Sequence, residues 1–215
     1  EIYGTNTVSL QNINSGTAEA KANGAAIAGL GALVVSRAES DFSATVTTDV
    51  NASVVNAGAI EILTQVSSAR GDNSKARATT LTLAGGAAGS GAFAEAYSAY
   101  TVTTNIGGGA DSVVATSLNA TSGALEIRTG TAGLSGVITR ASASGNVAGG
   151  LAVGVVIANS GQVGGNRTAT VVNNINSGTL TAYHTLLIAA DHVQNINVDA
   201  TAGAGGIVTG SGGEA

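Results

Sequence analysis

The chain has no cysteine, proline, methionine or tryptophan, and only 3% of its 215 residues are aromatic. Absence of cysteine excludes disulfides, thiol nucleophiles and thiolate metal ligands. Absence of proline means that every residue keeps its backbone N–H, as a continuous sheet ladder requires. With so few aromatics, any core is built from Ala, Val, Ile and Leu, at ~25 cal/mol per Å² of apolar surface buried. Stability therefore leans on many repeated backbone ladders as well as on burial. Charge is scarce too: 10% of residues, scattered singly, with a net charge of −5. No phosphate-binding patch is visible, which argues against nucleic acid as a partner. No apolar run approaches the ~18 residues of a membrane helix. The longest, from Ala25 to Val35, is broken by Gly29 and Gly31. No membrane insertion by this segment is expected, and no targeting segment is visible.

What is present is Gly (32 residues) and a hydrophobic content of 44%, too apolar for simple disorder. One stretch returns twice. Ala44-Thr45-Val46-Thr47-Thr48-Asp49-Val50 recurs as Tyr100-Thr101-Val102-Thr103-Thr104-Asn105-Ile106 and as Ala169-Thr170-Val171-Val172-Asn173-Asn174-Ile175. β-Branched residues in period-two alternation fit a strand with one face buried. A strand that returns at a roughly fixed interval points to a stacked array.

Other landmarks set the repeat. Glu1-Ile2 reappears as Glu61-Ile62 and Glu126-Ile127, with Leu187-Ile188 as a weaker copy. These divide the single array into repeats 1–60, 61–125 and 126–186 and a partial repeat 187–215. Ala18-Glu19-Ala20-Lys21-Ala22 aligns with Ser74-Lys75-Ala76-Arg77-Ala78, Thr139-Arg140-Ala141-Ser142-Ala143 and Val198-Asp199-Ala200-Thr201-Ala202. Small residues stay at the even positions and polar ones at the odd, an inward and outward alternation. Glu19, Lys75, Arg140 and Asp199 are expected to stack along one solvated outer ladder. A third element is apolar at both parities: Gly29 to Val35, Gly89 to Ala94, and Gly149 to Ile157. That predicts strands covered on both faces, in a broad flattened coil or against a neighbouring layer.

Gly is too frequent, and the Ala ladder too strictly of period two, for helices. The expectation is an all-β parallel β-solenoid of ~60-residue repeats. The general preference for right-handed parallel crossovers makes it right-handed. Asp49, Asn105 and Asn174 are expected to bond along the stack. The chain begins and stops inside repeats, without caps, as expected of a piece of a longer array or a subunit stacking on copies of itself.

Ala-x-Ala-x-Ala, Gly149-Gly150-Leu151-Ala152-Val153-Gly154 and the Thr-Val ladders resemble large bacterial filamentous adhesins of the leukotoxin and filamentous-haemagglutinin type. The resemblance spans the whole chain as a style of repeat. It implies a very long secreted or surface-attached protein with a β-helical stalk, and it brings no catalytic residues.

Short motifs add candidates. Arg70-Gly71-Asp72 lies between predicted strands, as an adhesion loop or an ordinary polar turn. Three sequons occur, at Asn51, Asn119 and Asn166. Gly107-Gly108-Gly109-Ala110-Asp111 resembles one piece of a calcium β-roll, a site that needs tandem copies. His184 and His192 are the only histidines, with no ligand cluster around them. No nucleophile and base can be paired from the sequence, and no cofactor or metal is expected. Thr45 and Thr47, Thr101 and Thr103, and Thr168 and Thr170 each put two hydroxyls on one strand face. A flat array of them would suit an ice-binding surface, although Val172 takes the Thr47/Thr103 place when the copies are aligned on their Asn-Ile end.

The leading expectation is a non-enzymatic structural and adhesive stalk segment, extracellular or on the cell surface. Its partners would be a host or neighbouring cell surface, or further copies of itself. The alternatives are an ice- or glycan-binding solenoid using the Thr-rich face and, lower, a polysaccharide-processing β-helix enzyme.

Overall fold

The computed structural model describes residues 1–68, 71–108, 115–132, 136–161 and 168–215. Of these, 81% lie in strands and none in a helix, far above the 20–25% strand of an ordinary domain. All strand pairing is parallel. The architecture is compatible with a β-solenoid.

The chain passes four times through the same three sheets, and each passage is called a tier here. Tier one is β1 (Ile2–Tyr3), β2 (Thr7–Asn14), β3 (Ala18–Ala28) and β4 (Gly31–Val50). Tier two is β5 (Val54–Ala57), β6 (Ala59–Val66), β7 (Ser74–Ala84) and β8 (Ala87–Ile106). Tier three is β9 (Thr116–Ala120), β10 (Leu125–Thr131), β11 (Val137–Gly161) and β12 (Ala169–Ile175). Tier four is β13 (Gly178–Ala182), β14 (Leu186–Asp191) and β15 (Gln194–Glu214). The short first strands form one four-stranded sheet and the second strands another. The remaining strands form the largest sheet.

Two regions differ in how they fill the interior. In the body, Ile60, Ile62, Leu118, Leu125, Ile127 and Ile106 pack together, all at most 2% exposed. Beyond it the large sheet folds back on itself as a two-layered arm. The first layer is β3, β7 and the early halves of β11 and β15. The second is β4, β8 and their later halves. Between the layers sit Ala76, Ala78, Ala92, Ala94, Ala96, Ala141 and Ala143. The gap is narrow: a Cβ on Gly24 would lie 2.4 Å from Val34 Cγ1 and 2.7 Å from Ser36 Oγ. At the arm's tip a Cβ on Gly86 would fall 2.2 Å from the Leu30 carbonyl oxygen. A side chain at Gly86 would push the backbone away from the tier below.

The Thr-Asn strand pairs in the register its repeat suggested, Thr45 with Thr101 with Thr170 and Asp49 with Asn105 with Asn174. Asn105 Nδ2 donates to Asp49 Oδ1 at 2.6 Å, and Asn174 Nδ2 to Asn105 Oδ1 at 2.8 Å. This is the expected ladder along the stack. Elsewhere the register corrects the sequence landmarks. Glu61 pairs with Ser9 and not with Glu1, whose neighbour Ile2 belongs to the first sheet opposite Val55. Arg140 pairs with Asn197, and Asp199 pairs with Ser142. Gly89 pairs with Leu33 and Val153, four residues from the match expected with Gly29. The expected double coverage of the third element also fails. Its inner positions hold mostly small residues, and Leu33 and Val35 point outward, 75% and 62% exposed.

Candidate functional site

Stacking brings together side chains that are far apart in sequence. On the outer face of the arm's first layer, Glu19, Lys75, Arg140 and Asn197 form one ladder, and Lys21, Arg77, Ser142 and Asp199 the next. A shallow cleft of about 530 Å³ opens here, walled by Lys75, Arg77, Arg140 and Asp199. Four of the chain's eight basic residues, Lys21 among them, thus meet on one face. Glu19 bonds Lys21 Nζ at 3.1 Å and Lys75 Nζ at 3.7 Å. First the Lys21 hydrogen bond and then its charge hold the Glu19 carboxyl below the usual carboxylate range. Arg77 makes no ion pair among the described residues. The cleft offers three cations, the Ser142 hydroxyl and the Asn197 amide to an anionic, hydroxyl-bearing ligand, with the Asp199 carboxylate at its wall.

Of the Arg70-Gly71-Asp72 motif, Arg70 lies outside the described residues. Gly71 has φ +107°, in the region that favours glycine. The Asp72 side chain is only 15% exposed and faces Arg140 Nη1 at 3.7 Å. Its carboxylate already has a cation, which fits a structural turn.

The Thr columns lie on the outer face of the second layer. Thr45, Thr101 and Thr170 are in line, while Thr47 and Thr103 continue into Val172. Thr168 stands ahead of β12, its carbonyl accepting from the Tyr100 N–H at 3.1 Å. Two complete columns therefore run through two tiers only.

Of the sequons, Asn51 is exposed at the end of β4. Asn119 donates to Asn56 Oδ1 at 3.0 Å across two tiers. Asn166 lies outside the described residues, as do Gly109, Ala110 and Asp111 of the β-roll-like segment. Among the described residues no group of three or more His, Cys, Asp or Glu could hold a metal.

His192 stacks on Tyr100, ring centroids 5.6 Å apart, with Nδ1 2.6 Å from the phenol oxygen. Burial pushes the Tyr100 hydroxyl up to about 12. It stays protonated at neutral pH and shares a hydrogen bond with the imidazole, a tether between tiers. Sequence reasoning missed this pair because 92 residues separate its members. The cleft was half legible: the Ala ladder places Lys75 over Arg140.

The exposed aliphatics are the other outer feature. Ile27, Leu30, Leu33, Val35, Leu81, Leu83, Leu151, Val153, Val155, Ile207 and Val208 are all at least 37% exposed. They gather at the outer half of the arm. The stretches 22–36, 78–94, 141–158 and 200–213 contain no charged residue, although one residue in ten of the chain is charged.

No family model, curated protein or solved structure matches the chain.

Proposed function

We propose that the four tiers are successive coils of a right-handed parallel β-solenoid serving as a non-enzymatic structural and adhesive stalk segment. The parent would be a large secreted or cell-surface filament of the bacterial filamentous adhesin kind. The observation that supports this is the register, which runs tier to tier through twenty consecutive pairs between β4 and β8. Such a stack gains backbone ladders and buried residues with every tier, so it lengthens without a new fold. Among the described residues β4 and β15 each pair along one side only. Their free edges suit continuation of the array or end-to-end contact with a copy. Handedness follows the general rule for parallel crossovers.

The cleft at Lys75, Arg77 and Arg140 favours one added reading, a glycan-binding module for which anionic sugars are the matching ligand. It would supply the adhesive contact of the stalk.

Negative-stain electron microscopy of the chain beside forms extended by further tiers tests the stalk reading. Rods that lengthen by ~4.8 Å per tier are expected. Compact particles of fixed shape would overturn it.

A further inference from the structure

We propose that two copies of the chain associate side by side through the outer face of the arm's second layer, about a two-fold axis parallel to the strands. Four outward ladders cross this face. From tier one to tier four they read Gly31, Ala87, Leu151, Val208; then Leu33, Gly89, Val153, Gly210; then Val35, Gly91, Val155, Gly212; then Arg37, Phe93, Ile157, Glu214. The middle two alternate large and small, so ridges stand at tiers one and three and furrows at tiers two and four.

A two-fold along the strands keeps strand direction and reverses tier order. Tier one of one copy then meets tier four of the other, and tier two meets tier three. Leu33 faces the partner's Gly210, and Val153 faces the partner's Gly89. Val35 faces the partner's Gly212, and Val155 faces the partner's Gly91. In the first ladder Gly31 meets the partner's Val208 and Ala87 meets the partner's Leu151. In the fourth, Phe93 meets the partner's Ile157, and Arg37 meets the partner's Glu214. Six pairings match large with small, one is apolar on both sides and one joins opposite charges. An isologous interface needs this kind of self-complementarity. A two-fold along the stack would instead set each tier on its own copy, ridge on ridge.

The local geometry agrees. The two most exposed ridge residues, Leu33 and Val35, meet the deepest furrow. A Cβ on Gly210 or Gly212 would have no neighbour within 4 Å. The tier-two furrow is shallower, since Leu33 leans over Gly89 and the Phe93 ring over Gly91. Lack of charge in the first three ladders suits an interface core. Lack of Tyr and Trp there disfavours a lipid surface, where such residues anchor.

Four tiers ~4.8 Å apart and four outward positions ~6.6 Å apart give a strip of about 500 Å² per copy. That is below the roughly 800 Å² per partner of a standard interface, so the association is reversible and concentration-dependent.

Sedimentation velocity across a concentration series tests this. The unaltered chain is expected to pass from monomer to dimer as concentration rises. Gly210→Leu with Gly212→Leu fills open space, so the monomer keeps its β circular dichroism and melting profile while the dimer is lost. Arg37→Glu weakens association roughly tenfold or more, and Arg37→Glu combined with Glu214→Arg restores it, which loss of the pairs Arg37 makes within one copy, with Glu95 at 2.7 Å and Glu39 at 3.5 Å, would not do. A monomer at every concentration would overturn the proposal. So would a dimer unmoved by the glycine fillings, or binding to uncharged lipid vesicles in place of self-association.

Discussion

The body and the arm use the same backbone plan and opposite side-chain economies. In the body residues of all three sheets meet in one interior, filled by Ile60, Ile62, Leu118, Leu125 and Ile127. In the arm two layers lie close together, and the gap is filled mostly by small residues such as Ala76, Ala94, Ala141 and Ser90. Leu33, Val35, Val153 and Val155 are turned outward, while Val34, Val147 and Val156 fit inside only because Gly24, Gly154 and Gly145 face them. Size, and not hydrophobicity alone, decides which side of a strand faces in. An interior packed to crystal-like density punishes shrinkage where it is wide and growth where it is narrow.

The two regions should therefore fail in opposite ways. Ile127→Ala in the body is expected to cost roughly 2–5 kcal/mol in urea unfolding, since the fully buried side chain leaves a cavity. Asn73 stands between sheet two and the arm, and its side chain bonds three tiers. Its Nδ2 donates to the Gly16 carbonyl at 3.1 Å and the Ser67 carbonyl at 2.9 Å, and its Oδ1 accepts from the Ile138 N–H at 3.0 Å. Asn73→Ala should cost roughly 1–3 kcal/mol by the same measurement, because buried backbone groups lose their partners. Ala94→Leu between the layers is expected to cost roughly 1–3 kcal/mol by overpacking. Ala25→Leu, on the exposed face of the first layer, should stay within about 0.5 kcal/mol. Equal losses for those two changes would break the contrast.

The smallest effect is a pH dependence. The Tyr100 hydroxyl is held up to about 12 in the fold and ionises near 10 when unfolded. Its contribution is whole below pH 10 and is lost as pH rises through about 12, because only the unfolded chain gives up the proton in that window. Urea midpoints between those values should fall more steeply for the natural chain than for Tyr100→Phe.

Much of the fold is legible in the sequence. The strand ending Thr48-Asp49-Val50 carries enough identity to fix its register in all three copies. The misread landmarks share a cause. Asp199 was offset by two residues and Gly89 by four, shifts that keep every side chain on its face. The Ala-x-Ala pattern is blind to such slips. Glu1-Ile2 misleads because tier one is short: Ser9 and Glu61 are 52 residues apart, and Glu61 and Glu126 are 65. The candidate surfaces were less legible. Lys75, Arg77 and Arg140 look scattered until tiers stack, and Leu33 and Val35 read as core until the narrow gap turns them out.

The central claim is the parallel register. The absence of native cysteine allows it to be read by paired cysteines, since disulfides form only across Cα separations of about 4.4–6.8 Å. Oxidation of Ser9→Cys with Glu61→Cys, and of Thr101→Cys with Thr170→Cys, should give intramolecular cross-links seen as a mobility shift on a non-reducing gel. Glu1→Cys with Glu61→Cys should give none. Cross-linking of the Glu1 pair, with the Ser9 pair left free, would contradict the stack of tiers described here.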